Sequence, residues 1–402
     1  MNILSVHNRY IQPGGEDQVF ESEAKLLAQK GWNITPLCLQ NTYPEGIVKK
    51  LGVAANCIWS RKSYRDFAKL LGELRPDVVH VHNFFPLVSP SLYYACRKAR
   101  VPVVQTLHNY RLLCPSATFY RDGRVCEECL HHNLLRSVRY GCYQGSKAGT
   151  AALAVMLQTH RQMGTWNKMV DCYIALTEFA RVKFIAGGLP AEKIRVKPNF
   201  VLPDPGPRHE QGDYALFVGR LVDPKGVHTL VSAWKGLQIP LHIVGDGPYR
   251  EQLERDLQQE GMSAITYRGR LPHDETLQAM RGARFLVFPS EWYEGFPMTI
   301  VEAFASGVPV ICCRLGAMQE VVADGRTGLH YRTGEANDLA AKVCWAWEHP
   351  AEVAVMGQNA RDEFEAKYTA DRNFEMMRDI YQSVISSCHG TADQHQPEVV
   401  AV

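Results

Sequence analysis

Short apolar segments alternate with amphipathic helical segments along nearly the whole chain, and this alternation restricts the fold more than any other feature. Strands separated by helices form right-handed βαβ units, which build parallel sheets covered by helices on both faces. In the first half the predicted strands are Ile3–Val6, Ile34–Leu39, Val78–Val81, Val103–Leu107 and Tyr173–Leu176. In the second half they are Ala215–Val218, Leu241–Val244, Ile265–Tyr267, Phe285–Phe288, Val310–Cys312 and Gly328–Tyr331. The pattern therefore predicts an α/β protein with doubly wound sheets.

A proline-rich stretch from Pro198 to Arg208 separates the two runs of strands and indicates a linker. Because 402 residues suit about two domains, we predict two Rossmann-like domains facing each other across a cleft. The predicted N-terminal domain covers residues 1–197 with a cysteine-bearing insert at about 110–145, followed by a linker over 198–212. The predicted C-terminal domain covers 213–370, a helix over 371–388 packs back towards the N-terminal domain, and 389–402 form a mobile tail.

Composition and the first residues favour a soluble cytoplasmic protein. The net charge of +2 provides no global field that would attract nucleic acid. The start of the chain lacks the basic and apolar regions of a signal peptide, and no apolar run approaches the length of a spanning helix. The twelve cysteines are therefore expected to be reduced thiols or metal ligands rather than disulfides.

Glu294 and Glu302 flank the predicted turn between the strand Phe285–Phe288 and a helix that Pro297 would open and Gly307 would end. The free N–H groups of Phe296, Met298 and Thr299 would lie between these carboxylates, at the positive end of the helix dipole. Such a turn can bind an anion while each carboxylate holds hydroxyl groups. This layout fits a sugar nucleotide, although a loop carboxylate and a solvated helix residue would explain the same pair.

Other turns after strands in the second half carry glycines and cations. Gly219 and Arg220 follow the strand that ends at Val218, with Lys225 five residues further on, and this set is suited to a diphosphate. Gly245 begins the turn after Val244, which would frame a nucleotide base or be a plain turn.

Two turns of the first half are also candidate site elements. Gly14 and Gly15 follow the first strand and open a helix, where a backbone without side chains can approach a phosphate or a sugar. His108 follows the strand Val103–Leu107 and would face the Glu294 turn across the cleft, which makes it a candidate for the reacting centre. A satisfied polar residue at a strand end is the alternative reading of His108.

With these turns placed, the chain resembles the family 4 glycosyltransferases over almost its whole length. The resemblance is carried by the following residues and motifs: Gly14-Gly15-Glu16, His108, Leu176-Thr-Glu-Phe-Ala-Arg181, Lys197-Pro-Asn199, Gly219-Arg220, Lys225-Gly226, Gly245-Asp-Gly-Pro248, Glu294 and Glu302. Two departures are Pro297, where the family often has a small residue, and Glu16-Asp17-Gln18, where many members have Ala-Glu-Arg.

The resemblance implies a GT-B fold and a retaining, metal-independent transfer of a sugar from a nucleotide diphosphate to an acceptor hydroxyl. It also implies that Arg220 and Lys225 neutralise the leaving diphosphate and that Glu302 binds the ribose. By the same analogy, Glu294 and the amides after it would orient the sugar, and His108 would contact it near the anomeric carbon. The implied partners are a nucleotide-sugar donor and a saccharide or lipid-linked acceptor, as in bacterial cell-surface polysaccharide synthesis. No cofactor would be required for catalysis.

Four cysteines lie in the insert that follows His108. A Cys-x-x-Cys pair with two further cysteines is typical of a tetrahedral structural zinc site, and the candidate ligands are Cys114, Cys126, Cys129 and Cys142. Unlinked thiols are the alternative.

The same insert carries arginines among leucines and tyrosines. Its basic and aromatic character favours contact with the anionic inner face of the cell membrane, although a solvated loop would have a similar composition.

Two other functions remain open at this level. A nucleotide-sugar epimerase of the same architecture would bind the same donor without an acceptor. A zinc-stabilised scaffold without catalysis is the third reading, and the set of Arg220, Lys225, Glu294 and Glu302 argues against it.

Overall fold

A computed structural model of the protein describes residues 1–9, 14–41 and 47–393. Residues 10–13 of the predicted first turn and residues 394–402 of the predicted tail lie outside this part of the chain. The described residues form two six-stranded sheets, a small two-stranded sheet and the helices around them. In the described part of the chain, no helix combines the length and apolarity needed to span a bilayer.

The first sheet belongs to the N-terminal half, and all its strand pairs are parallel. Its strands run in the order β2-β1-β3-β4-β7-β8. The elements up to the insert are β1 (Asn2–Arg9), α1 (Gly15–Gln29), β2 (Asn33–Gln40), α2 (Ile47–Ile58), α3 (Arg61–Leu74), β3 (Val78–Val81), α4 (Ser91–Ala99) and β4 (Val103–Leu107). The insert and the remaining elements of this half are β5 (Tyr120–Arg121), β6 (Arg124–Val125), α5 (Glu128–His131), α6 (Arg136–Tyr140), α7 (Lys147–Gln162), α8 (Thr165–Lys168), β7 (Cys172–Ala175), α9 (Glu178–Ala186) and β8 (Ile194–Val196).

The second sheet is also parallel and has the order β11-β10-β9-β12-β13-β14. Its elements are β9 (Tyr214–Val218), α10 (Val227–Trp234), β10 (Leu241–Val244), α11 (Arg250–Asp256), β11 (Ile265–Gly269), α12 (His273–Arg281), β12 (Ala283–Phe288), α13 (Met298–Ala305), β13 (Val310–Cys313), α14 (Gly316–Val321) and β14 (Gly328–Tyr331). The chain ends in three helices, α15 (Ala336–Glu348), α16 (Pro350–Lys367) and α17 (Ala370–Asp393).

This architecture confirms the predicted fold class of two doubly wound sheets. The eleven predicted strands are all present: four have the predicted bounds, six are one to four residues longer, and β7 is shifted by one residue. The edge strand β8 and the hairpin β5–β6 were not predicted, because strands of two or three residues carry too little periodicity to be recognised. The last helix continues to Asp393 rather than ending at 388.

In each sheet the strand order reverses direction next to the first strand of that half, at β1/β3 and at β9/β12. Such a switch point opens a crevice beyond the carboxyl ends of the strands, where ligands of open α/β sheets bind. The residues after β1, β3, β9 and β12 therefore occupy the positions that the topology makes available for a ligand.

The last helix, α17, covers the first sheet although it follows the second one in the chain. Met377, Tyr381 and Val384 pack against Ile3 and Val104 in one buried apolar cluster. Burial of this apolar surface ties the C-terminal end of the chain to the N-terminal domain.

Candidate functional site

A cleft of about 1450 Å³ lies between the two domains, and residues of both halves line it. Several residues singled out from the sequence are among them, namely Gly14, Gly15, His108, Arg220, Glu294, Phe296 and Met298. Lys225, Gly219, Gly245, Thr299 and Glu302 are not among the lining residues. The predicted set is therefore only partly assembled at the surface of the cleft.

Lys225 does not line the cleft itself, but it forms an ion pair with Glu294, which does. Its Nζ lies 2.7 Å from Oε1 of Glu294, and Ser290 Oγ donates to the same oxygen at 2.5 Å. Burial alone would raise the pKa of Glu294, but Lys225 and these hydrogen bonds hold that pKa below its ordinary value. Glu294 is thus a fixed carboxylate whose charge is already balanced by one ammonium group.

Arg220 is exposed and projects from the turn after β9. Among the described residues, its guanidinium has no hydrogen-bond or ion-pair partner. The turn packs closely against the end of β10, so that a Cβ on Gly245 would overlap the carbonyl oxygen of Gly219. A guanidinium that is left unpaired at a cleft wall is available for an anionic ligand.

The turn after β12 packs directly against His108. A Cβ on Gly295 would overlap the backbone carbonyl oxygen of His108, so only glycine allows this approach. The strand end that carries His108 and the turn that carries Glu294 are therefore in contact across the domain boundary, as the sequence predicted.

The amides of that turn differ in one respect from the prediction. The helix α13 begins at Met298 with Pro297 as its N-cap residue, so Pro297 precedes the first helical position. The N–H of Met298 is not free, because it donates to the carbonyl oxygen of Phe296 at 3.0 Å. Within the described chain, the N–H groups of Phe296 and Thr299 have no such acceptor. Two of the three predicted anion-binding amides are therefore available.

Glu302 lies on the buried side of α13. Only 7% of the residue is exposed. Burial raises the pKa of Glu302, against the opposing effects of His273 and a hydrogen bond from Gln18 of α1. The side chain thus contacts the N-terminal domain as well as its own.

Glu16 was not selected as a site residue from the sequence, yet it lines the cleft beside Gly15. Asn109 and Asn83 donate to its carboxyl oxygens at 3.2 and 3.4 Å. Burial and the neighbouring Asp17 raise the pKa of Glu16 to about 8. An acid next to a glycine pair that opens a helix is the signal that could have identified it.

Contacts between the domains also involve Glu320 of α14. Its two carboxylate oxygens accept hydrogen bonds from the N–H groups of Glu178 and Phe179, each at 2.7 Å. The helix that it caps is α9 of the other domain, and a carboxylate at a helix N-terminus is favourable.

The four cysteines of the insert are free thiols. Cys114 and Cys129 share a hydrogen bond, and Cys126 and Cys142 are close enough to affect the pKa of Cys129. Among the described residues, the one group of three potential metal ligands whose donor atoms lie within 4.8 Å of one another is Glu23, His80 and His82. No three of the four cysteine sulfurs therefore lie within 4.8 Å of one another, as they would in a closed metal site.

Comparison with known proteins places these features in a family. Residues 14–199 match the family model described as glycosyl transferase 4-like domain, and residues 202–363 match the model described as glycosyl transferases group 1. An uncharacterized glycosyltransferase from Methanocaldococcus jannaschii is 34% identical over 44% of this chain and 50% of the relative. The O-antigen chain mannosyltransferase C of Escherichia coli is 28% identical over 45% of this chain and 49% of the relative. The chain thus aligns with about half the length of these two curated relatives.

A solved structure has the same fold over nearly the whole length of this chain. The structure of HepE from Anabaena in complex with UDP-glucose has a TM-score of 0.67 and 18% identity to this protein, covering 95% of this chain and 100% of that one. Two matching family models in tandem and this shared fold lead to one conclusion: the chain belongs to the glycosyltransferases of the family 4 type and has a GT-B fold.

Proposed function

We propose that the enzyme transfers a sugar from a nucleotide diphosphate to a hydroxyl of a polysaccharide or lipid-linked oligosaccharide, with retention of the anomeric configuration. The observation that carries the proposal is the unpaired guanidinium of Arg220 at the same cleft as the Lys225–Glu294 pair and His108. HepE of Anabaena, which shares the fold, was solved with UDP-glucose, and the relative from Escherichia coli is a mannosyltransferase of O-antigen chains.

In the proposed reaction, the bond between the anomeric carbon and the phosphate oxygen breaks, and a bond to the acceptor oxygen forms on the same face. The bonding electron pair leaves with the diphosphate, and the acceptor proton passes to a departing phosphate oxygen. Arg220 and Lys225 would stabilise the charge that develops on the diphosphate, and they would do so more strongly in a site closed to water. Glu294 would hold hydroxyls of the sugar, and Glu302 those of the ribose.

The proposal is tested first by binding and then by product analysis. Uridine, guanosine and adenosine diphosphates and their sugar conjugates are compared in thermal unfolding, and one nucleotide should raise the midpoint. Release of that nucleotide should then require an acceptor, and NMR of the product should show the donor's anomeric configuration. An isomerised donor formed without acceptor would indicate an epimerase instead. Stabilisation by none of the nucleotides would contradict donor binding.

The cysteine insert is proposed to bind a structural zinc ion. Zinc bound by four thiolates would bring all four sulfurs to about 3.8 Å from one another, whereas here no three of them lie within 4.8 Å of one another. Purified protein prepared without chelators should contain one zinc per chain, and Cys126→Ser should lose it and lower the thermal midpoint. Metal analysis that finds no zinc in the wild-type protein would leave the insert as a set of thiols.

The insert is also proposed to contact the cytoplasmic face of the membrane. Leu135 and Tyr140 are 55% and 44% exposed, and Arg136 and Arg139 lie beside them. Arginines next to exposed apolar side chains favour an anionic lipid surface. The protein should therefore sediment with vesicles containing anionic lipid, and Leu135→Asp should weaken this binding. Equal sedimentation with neutral vesicles would argue against the proposed charge attraction.

A further inference from the structure

A cluster of buried ionisable side chains lies behind the cleft, on the N-terminal side. It consists of Glu23 of α1, His80 of β3, His82 just after β3, and Lys197 just after β8, and we call it the buried cluster. Each of the four is at most 4% exposed. Buried charged groups are uncommon unless they are paired, so this arrangement needs an explanation.

Glu23 and Lys197 form the charged centre of the buried cluster. Nζ of Lys197 lies 2.7 Å from Oε1 of Glu23, although the two residues are 174 positions apart in the chain. The geometry of Glu23, His80 and His82 would suit a metal ion, but the ammonium of Lys197 already supplies a positive charge at the carboxylate. A divalent cation placed there would be repelled by this ammonium, which argues against a metal at this position.

The buried cluster contacts the cleft through His82. Nδ1 of His82 lies 3.0 Å from Nε2 of His108, and the two rings are inclined by only 18°. The centroid separation of 5.3 Å is close to the sum of that bond and two ring radii. The imidazoles therefore meet edge to edge, in the plane where the N–H group and the lone pair lie.

The carboxylate of Glu23 determines which ring nitrogens of His82 and His108 carry a proton. Burial would raise the pKa of Glu23, but Lys197 and His80 hold it below its ordinary value, so the group is ionised. Its Oε2 has no full hydrogen bond, and two imidazole nitrogens face it, Nε2 of His82 at 3.5 Å and Nδ1 of His80 at 3.9 Å. Both ring nitrogens of His80 have hydroxyl partners, Tyr381 at 2.7 Å from Nδ1 and Thr106 at 2.8 Å from Nε2, so we infer that the N–H facing Glu23 belongs to His82.

A neutral imidazole carries one N–H, so His82 protonated at Nε2 has a bare Nδ1 that accepts a hydrogen bond. Nε2 of His108 must then be the donor, and Nδ1 of His108 is left as an acceptor. Burial lowers the pKa of His108 to about 3, so this ring stays neutral at physiological pH. Within the described residues, Nδ1 of His108 has no protein partner.

We propose that His82 is a positioning residue for His108. It holds the tautomer in which Nδ1 of His108 accepts a hydrogen bond from a hydroxyl of the transferred sugar, and Glu23 and Lys197 hold His82 in turn. The inference rests on the proposed function, because it takes the sugar of the donor to be the group beside His108. It adds a second layer to the site, built from residues that do not touch the substrate.

The test compares His82→Leu, which removes the acceptor at similar volume, with His82→Asn, whose amide oxygen can replace Nδ1. His82→Leu should lower kcat about 10- to 100-fold with a nearly unchanged KM for the donor, and His82→Asn should restore most of the activity. NMR of ¹⁵N-labelled histidine should show His108 protonated at Nε2 in the wild-type protein. In His82→Leu the His108 signals should report both tautomers.

His160→Leu is the matched control, because His160 is a buried histidine of the same domain that bonds to Thr165 and to the carbonyl of Ile58. Folded His160→Leu should keep the wild-type kcat. Wild-type turnover by His82→Leu, or a His108 ring protonated at Nδ1 in the wild-type protein, would overturn the proposal. The NMR measurement needs no substrate, so a protein that transfers no sugar would refute the proposed function and still allow the tautomer to be determined.

Discussion

Replacing Arg220 by methionine should lower kcat/KM about 100- to 1000-fold and leave the fold intact. The guanidinium is exposed and unpaired in the described part of the chain, so its removal breaks no internal contact. The change in unfolding free energy should accordingly stay within about 0.5 kcal/mol. Steady-state kinetics and thermal unfolding of the same preparation separate the two effects.

The control for this change is Arg270→Met, which removes an exposed arginine of the same domain that does not line the cleft. That variant should retain wild-type kinetics. Arg220→Lys should recover part of the activity, because it keeps the charge and loses the bidentate geometry. If Arg220→Met turned over donor at the wild-type rate, the leaving diphosphate would have to be stabilised elsewhere.

Lys225 differs from Arg220 in that it also has a structural contact. Its ammonium is paired with the buried carboxylate of Glu294, so Lys225→Met removes a cation and leaves a charge without its partner. The two cations of the predicted diphosphate site are therefore not equivalent. Arg220 is the better probe of catalysis because its loss is not mixed with a loss of stability.

The largest effect on stability is expected from Lys197→Met. Lys197 is fully buried and its ammonium is paired with the buried Glu23. Removing one partner leaves an uncompensated charge in the interior, which typically costs about 3–5 kcal/mol. Urea unfolding followed by circular dichroism should show the N-terminal domain losing stability by this amount.

The double variant Lys197→Met with Glu23→Gln should recover most of that loss, because the stranded charge is then removed as well. Lys30→Met provides the comparison at the surface, where the ion pair with Asp371 is exposed and worth about 0–1 kcal/mol. A single variant as stable as the wild-type protein would mean that Glu23 is already neutral, and the proton assignments of the buried cluster would fail with it.

The positions of the site residues in their own turns could be predicted because parallel strands end at one edge of a sheet. Arg220, Glu294 and His108 each directly follow or lie a few residues beyond an apolar run, and this local relation is enough to place them at the carboxyl ends of β9, β12 and β4. The contact between the Glu294 turn and His108 also followed from the expectation of two facing domains.

The environment of individual groups could not be predicted in the same way. Met298 was expected to offer a free N–H, but the local turn pairs it with Phe296. Glu302 lies on the same helix as predicted, yet its contact with Gln18 depends on how the two domains meet. The position of a residue in a predicted helix does not show which side chain of another domain will contact it.

Periodicity, turn residues and strand ends are properties of neighbouring residues, and they were sufficient to determine an α/β chain of two doubly wound halves with cations and carboxylates at its strand tips. Which of these groups are paired was decided only in three dimensions. His82 meets His108 because the paired strands β3 and β4 bring their ends together, and Lys197 after β8 meets Glu23 because the helix α1 packs over the sheet. The pKa of an ionisable side chain depends on the partners and the burial that this packing creates. No local pattern in the chain encodes either of them.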